Sequence, residues 1–173
     1  MLFRSRIFKI KKTNMKKLIL LIILLLNSVA FCQSEIKTVV RPDGITMKYF
    51  NPVPVAITNS HEAGLSLYKK VTNKFYTLAL TVLFKSDKPT ELEGNLMIQT
   101  TGVRGISLKP IFHKLINMNG RNVASSMYQL SEKDIKELKG KSIKLISFNA
   151  YGQPIGLNLT KNKNLLITEF SKL

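Results

Sequence analysis

Phe75-Tyr76-Thr77-Leu78-Ala79-Leu80-Thr81-Val82-Leu83-Phe84-Lys85 decides the fold, because it reads as a strand with two usable faces. Tyr76, Leu78, Leu80, Val82 and Phe84 fall on one side of a two-residue period. Thr77, Ala79, Thr81 and Leu83 fall on the other, and they are small or apolar too. A strand dressed this way belongs in the middle of a sheet, covered in part on both sides. Just before it, Leu65, Leu67, Lys69 and Val71 alternate with Ser66, Tyr68 and Lys70, and Thr72-Asn73-Lys74 suits a hairpin connection.

The same pattern continues outward. Leu92 to Thr101 and Gly105 to Ile111 read as a pair, as do Ile143 to Phe148 and Ile155 to Leu159 around Tyr151-Gly152-Gln153-Pro154. A last strand is expected from Leu165 to Phe170. Arg41-Pro42-Asp43-Gly44 is a turn, since Pro presets φ and Gly accepts positive φ. Asn51-Pro52-Val53-Pro54 belongs at a sheet edge, because two prolines bring no ladder donors. One helix interrupts the strands over 132–139: Ser131 caps it, Asp134 completes the capping box, and Leu130 with Ile135 forms a hydrophobic staple. Ile135 and Leu138 face inward, and Gly140 stands at the expected C′ position. The expectation is a mainly β fold: an antiparallel β-sandwich or partly closed barrel of about nine strands with one short capped helix.

Ahead of this domain, Met15-Lys16-Lys17 precedes Leu18 to Leu26, all Leu and Ile, and then Asn27-Ser28-Val29-Ala30-Phe31-Cys32-Gln33. A cationic start, a short apolar run and small residues at the end make a secretory signal peptide. The run is shorter than the ~20 apolar residues of a membrane-spanning helix. The expected division is therefore a signal peptide over 1–32 and a single exported domain over 33–173, with no transmembrane anchor in the mature protein. Cleavage is placed between Cys32 and Gln33. Arg4, Arg6, Lys9, Lys11 and Lys12 form either an N-terminal extension or sequence upstream of a true start at Met15. Phe31 before Cys32 makes lipid anchoring through Cys32 the minor alternative to a freely soluble periplasmic or extracellular product. Lys16-Lys17, the Leu/Ile run and Ala30-Phe31-Cys32-Gln33 together resemble the signal peptides of small secreted proteins from Bacteroidetes-type bacteria. The resemblance covers about twenty residues. It implies a Gram-negative envelope and no particular activity.

Residues 1–32 carry seven Lys/Arg and no acid, so the formal charge falls from +17 to +10 once they are removed. Such a charge invites an anionic envelope polymer, glycan or lipid surface as partner. Only Arg41, Arg104 and Arg121 of the mature part are arginines, and no basic run exceeds Lys69-Lys70. Bidentate phosphate recognition favours Arg, so nucleic acid is a poor fit. Cys32 is the only cysteine, which removes disulfides, thiol nucleophiles and thiolate metal sites from the mature domain.

No catalytic, cofactor or metal set stands out. His61 in Asn59-Ser60-His61-Glu62 is read as an exposed loop residue and His113 as the end of a strand, with no second ligand at metal spacing. Ser125-Ser126 lacks the Gly-x-Ser-x-Gly context of a nucleophile elbow. Glu91 and Glu93 share a face without a partner cleft, and Gly102, Gly105, Gly120 and Gly152 lack phosphate-loop spacing. Most aromatic rings alternate with polar residues, as core rings do, and Tyr151 is the exception expected at the surface. The candidate binding loop is Asn117, Asn119 and Arg121, with Tyr151 as a further contact, although Asn and Gly there also satisfy an ordinary turn. The reading is a non-enzymatic binding or envelope-assembly module, able to dock a protein by pairing along a strand edge such as Asn51 to Thr58. The alternatives are a small secreted hydrolase using His61 or His113, and a basic adhesion domain.

Overall fold

A computed structural model describes residues 35–86, 88, 90–118 and 120–173. The signal segment with Cys32 and Gln33, and the loop residue Asn119, lie outside the described residues. The chain forms β1 (Lys37–Val40), β2 (Thr46–Tyr49), β3 (Val53–Ile57), β4 (His61–Lys70), β5 (Tyr76–Phe84), β6 (Glu93–Thr100), β7 (Gly105–Leu108), β8 (Pro110–Met118) and β9 (Arg121–Leu130). Helix α1 (Glu132–Lys139), β10 (Ile143–Ala150), β11 (Gln153–Asn158) and helix α2 (Leu165–Lys172) follow. The fold is mainly β, with two antiparallel sheets packed as a sandwich, one of them curled into a half-barrel. The larger sheet has seven strands in the order β1-β2-β4-β5-β9-β8, with β3 also on β4; the smaller runs β11-β10-β6-β7.

β5 sits between β4 and β9 as its two-faced pattern requires. Tyr76, Leu78, Leu80, Val82 and Phe84 all lie at 6 % exposure or less. They meet Leu96, Ile98, Ile106, Leu108, Ile146 and Phe148 of the smaller sheet in one continuous core. β3 pairs with β4 alone and is bulged between Pro54 and Ala56, the edge position its prolines dictate. The β10–β11 hairpin closes through Tyr151 and Gly152, at φ 56° and 70°, the backbone of a type I′ turn. In α1 the Ser131 Oγ accepts from the Asp134 amide at 3.2 Å, and Asp134 Oδ2 accepts from the Ser131 amide at 2.9 Å.

Several expectations are corrected. Gly105 to Ile111 is not one strand. β7 ends at Leu108 in the smaller sheet and Pro110 opens β8 in the larger, because the chain crosses between sheets at Lys109 and Pro110 lacks a ladder donor. Leu165 to Phe170 is helix, not strand. Leu165, Leu166, Glu169 and Phe170 are buried at helical spacing, and a buried glutamate inside that stripe disguises it as alternation. Among the described residues the totals become eleven strands and two helices. Gly140 ends α1 at φ −106°, without the left-handed turn expected of it. His61 is buried at 8 % exposure as the first residue of β4, and His113 lies within β8 rather than at its end.

One join in the larger sheet is completed by a side chain. β2 pairs with Tyr68, Lys69 and Lys70 of β4, whereas β3 pairs with Glu62 to Leu65. Between them the Leu67 carbonyl accepts from Phe50 at 3.3 Å, but the chain then turns away through Asn51-Pro52. The Leu67 amide instead donates to Glu169 Oε2 of α2 at 2.9 Å. A helix carboxyl group thus stands in for a missing strand carbonyl, as a buried amide demands.

Candidate functional site

The face of the larger sheet turned away from the core floors a groove of about 600 Å³. β1 and β8, the two ends of the strand order, both line it, so the curl of the sheet brings its edges to one hollow. Its position is set by alternation. Thr77 on β5, Tyr68 and Lys70 on β4, Met47 on β2, Val39 on β1 and Met127 on β9 all point opposite to the core stripe. Around the mouth stand Ile45 of the β1–β2 connection, Asn73 and Phe75 of the β4–β5 connection, and Ile111 and Phe112 opening β8.

The hollow is mostly apolar, and its rim is exposed: Val39 41 %, Ile111 52 % and Phe112 53 %. Tyr49 and Tyr68 stack with centroids 5.0 Å apart and planes within 4°, stiffening the wall formed by β2 and β4. Burial pushes the Tyr68 phenol above its usual pKa, so it stays a neutral hydrogen-bonding group. The cations Arg41 and Lys70 line the groove and no carboxylate does. Arg41 also meets Asp43, 3.1 Å away in its own turn, with both side chains about half exposed. The polar and apolar linings are segregated. Arg41, Lys70 and Asn73 come from the β1–β2 turn and the β4 end, while Ile111, Phe112 and Met127 come from β8 and β9 across β5.

The residues singled out from the sequence lie elsewhere. His61 Nδ1 meets Ser60 Oγ at 2.9 Å, and its ring packs against Phe84 and Phe148 with centroids 6.2 and 6.4 Å away. Burial holds the imidazole below its ordinary pKa, helped by Lys85. Its Nε2 is buried with no hydrogen-bond partner among the described residues, and none of their acids orients this Ser-His contact as a triad would need. His113 lies exposed on β8. Asn117 accepts from the Gly120 amide at 3.1 Å, tying off the β8–β9 turn that leads to Arg121. Tyr151 is 46 % exposed, yet its ring packs on Phe84 and its hydroxyl meets Ser86 at 3.2 Å. Each of these turns is tied to its own neighbours, and none of these residues enters the groove.

The groove itself was not foreseen. Its aromatic residues alternate with polar ones just as core rings do, and only the curl of the sheet separates the two roles. The available signal was the apolar content of the sheet's outermost strands, Val39 and Ile111-Phe112 above all, where charged or polar residues usually protect an edge. The proposed docking edge is also changed by geometry. The Val55 carbonyl of β3 accepts from Thr160 and Lys161, and Asn162 Nδ2 donates to the Pro54 carbonyl at 2.8 Å, so the 160–162 loop covers that side.

Among the described residues, no three His, Cys, Asp or Glu side chains come together to hold a metal ion, and no helix is long and apolar enough to cross a membrane. Comparison with protein-family models, with curated proteins and with solved structures finds no match.

Proposed function

We propose that this chain is an exported, non-enzymatic binding module whose ligand site is the groove of the seven-stranded sheet. The observation that carries the reading is the groove's lining: a hollow of about 600 Å³ that is mainly apolar, with a few polar groups gathered on one wall. Small-molecule sites have this size and this composition. The exposed apolar residues Val39, Ile111 and Phe112 line it, and such a grouping on a protein surface marks a place of contact. Export rests on the basic, short apolar leader ending near Cys32.

Titration with Nile red, a neutral apolar dye whose emission brightens and shifts blue in dry surroundings, tests the site. Binding to the protein is expected, with affinity reduced about tenfold in a Phe112→Ser, Met127→Lys double variant, because two apolar walls are lost. Far-UV circular dichroism should be unchanged, since both positions are at least partly exposed. Absence of dye binding, or equal binding by the double variant, would refute the site.

A second reading is favoured by β8. Among the described residues this strand ends the larger sheet, so it presents an edge that none of them pairs with. A protein partner adding a strand there would satisfy those groups, in the envelope-assembly role.

A further inference from the structure

We infer that the ligand class of the groove is a single-chain anionic amphiphile, its charged head held between Arg41 and Lys70 and its apolar chain laid across Met127, Ile111 and Phe112. This rests on the groove being the binding site and adds the chemistry it selects.

Charge complementarity fixes the head. Two cations and no carboxylate line the groove, and both cations lie on one wall beside the neutral donors Asn73 and Tyr68. Asn73 is anchored there, since its Oδ1 accepts from the Phe75 amide at 3.1 Å, which leaves its NH₂ free to turn outward. The Arg41 contact with Asp43 is exposed and made through one guanidinium nitrogen, so other donors of the fork remain for a carboxylate, phosphate or sulfate. Exposed pairs of this kind are weak enough to be shared with a ligand. Further along the same faces, Lys37 stands two residues before Val39 and Lys114 two after Phe112, adding positive field at both rims.

The opposite wall fixes the tail. Ile111, Phe112 and Met127 carry no charge and the first two are half exposed, so covering them with a methylene chain removes apolar area from water. Size sets the number of chains, because about 600 Å³ matches a drug-sized molecule and falls short of a two-chain lipid. A cationic amphiphile would meet like charge at the head position, and a free inorganic anion would leave the apolar wall wet.

Competition against bound Nile red tests this with four twelve-carbon probes: dodecanoate, dodecyl phosphate, dodecanol and dodecyltrimethylammonium. The two anionic probes are expected to displace the dye about tenfold more tightly than dodecanol, the gain of a charge-assisted hydrogen bond over a neutral one. Dodecyltrimethylammonium should be weakest, and inorganic phosphate alone should not displace the dye. Lys70→Ala and Arg41→Ala should each weaken the anionic probes more than dodecanol and so shrink the anionic preference, a difference that general damage to the fold would not produce. Equal competition by dodecanol and dodecanoate would overturn the anionic head while leaving the apolar site standing. Failure of Nile red itself to bind would instead remove the site on which this inference rests.

Discussion

Glu169 is the residue whose environment departs furthest from its chemistry. Its side chain is fully buried, Oε2 accepts from the Leu67 amide, and Oε1 has no partner among the described residues. Burial raises its pKa to about 8, against the lowering effects of the Leu67 hydrogen bond and Lys172. The folded chain therefore holds a proton that the unfolded chain has released over the interval from about 4.5 to about 8. Stability from this group is fully present below pH 4.5 and is lost as pH rises through about 8. The total is on the order of 5 kcal/mol, from about 1.4 kcal/mol per pKa unit. Urea unfolding between pH 5 and pH 9 should show this decline. Glu169→Gln, which keeps an acceptor for Leu67 and cannot ionise, should flatten it and be the more stable form at pH 9. A wild-type midpoint independent of pH would contradict the assignment.

At the scale of elements, the start and extent of α1 are legible in the sequence and α2 is not. α1 carries its signals locally: a capping box, acids Glu132 and Asp134 in the first turn and basic residues Lys136 and Lys139 in the last. Ser131→Ala should cost about 1 kcal/mol, the usual value of an N-cap, read as a lowered urea midpoint with an unchanged slope. α2 has no side-chain cap, and its inward face includes a charged residue type. Its helicity depends on tertiary partners: Phe170 edge-on to Tyr76 at 5.3 Å, Lys69 Nζ donating to the Leu173 carbonyl, and Glu169 on β4. None of these is visible from a window of eight residues. β5 and the β10–β11 turn were legible because alternation and Tyr151-Gly152 act locally. His61 misled because its polar neighbours Ser60 and Glu62 imply a loop, whereas the antiparallel register with Phe84 draws the ring inside. The groove escaped for the same reason as α2, since it is made by strands distant in sequence.

At the scale of the molecule, the seven-stranded sheet joins residues from Lys37 to Leu130, while the smaller sheet closes over it with β6, β7, β10 and β11. Long-range pairing of this kind makes folding slow, in the millisecond-to-second range of all-β domains. Stopped-flow refolding from guanidinium should fall in that range, and microsecond folding would be incompatible with this topology. The bond from the Leu67 amide to Glu169 links residues 102 apart in the chain. It closes the gap between β2 and β3, so that interior amide stays unsatisfied until α2 has been synthesised. A ribosome-bound chain that has already produced nine strands still lacks the piece that seals them. Lateness of this kind is an asset for a polypeptide that must be threaded through a narrow channel. On the proposed export route it would hold the nascent chain pliable until the whole of it is available to fold on the far side.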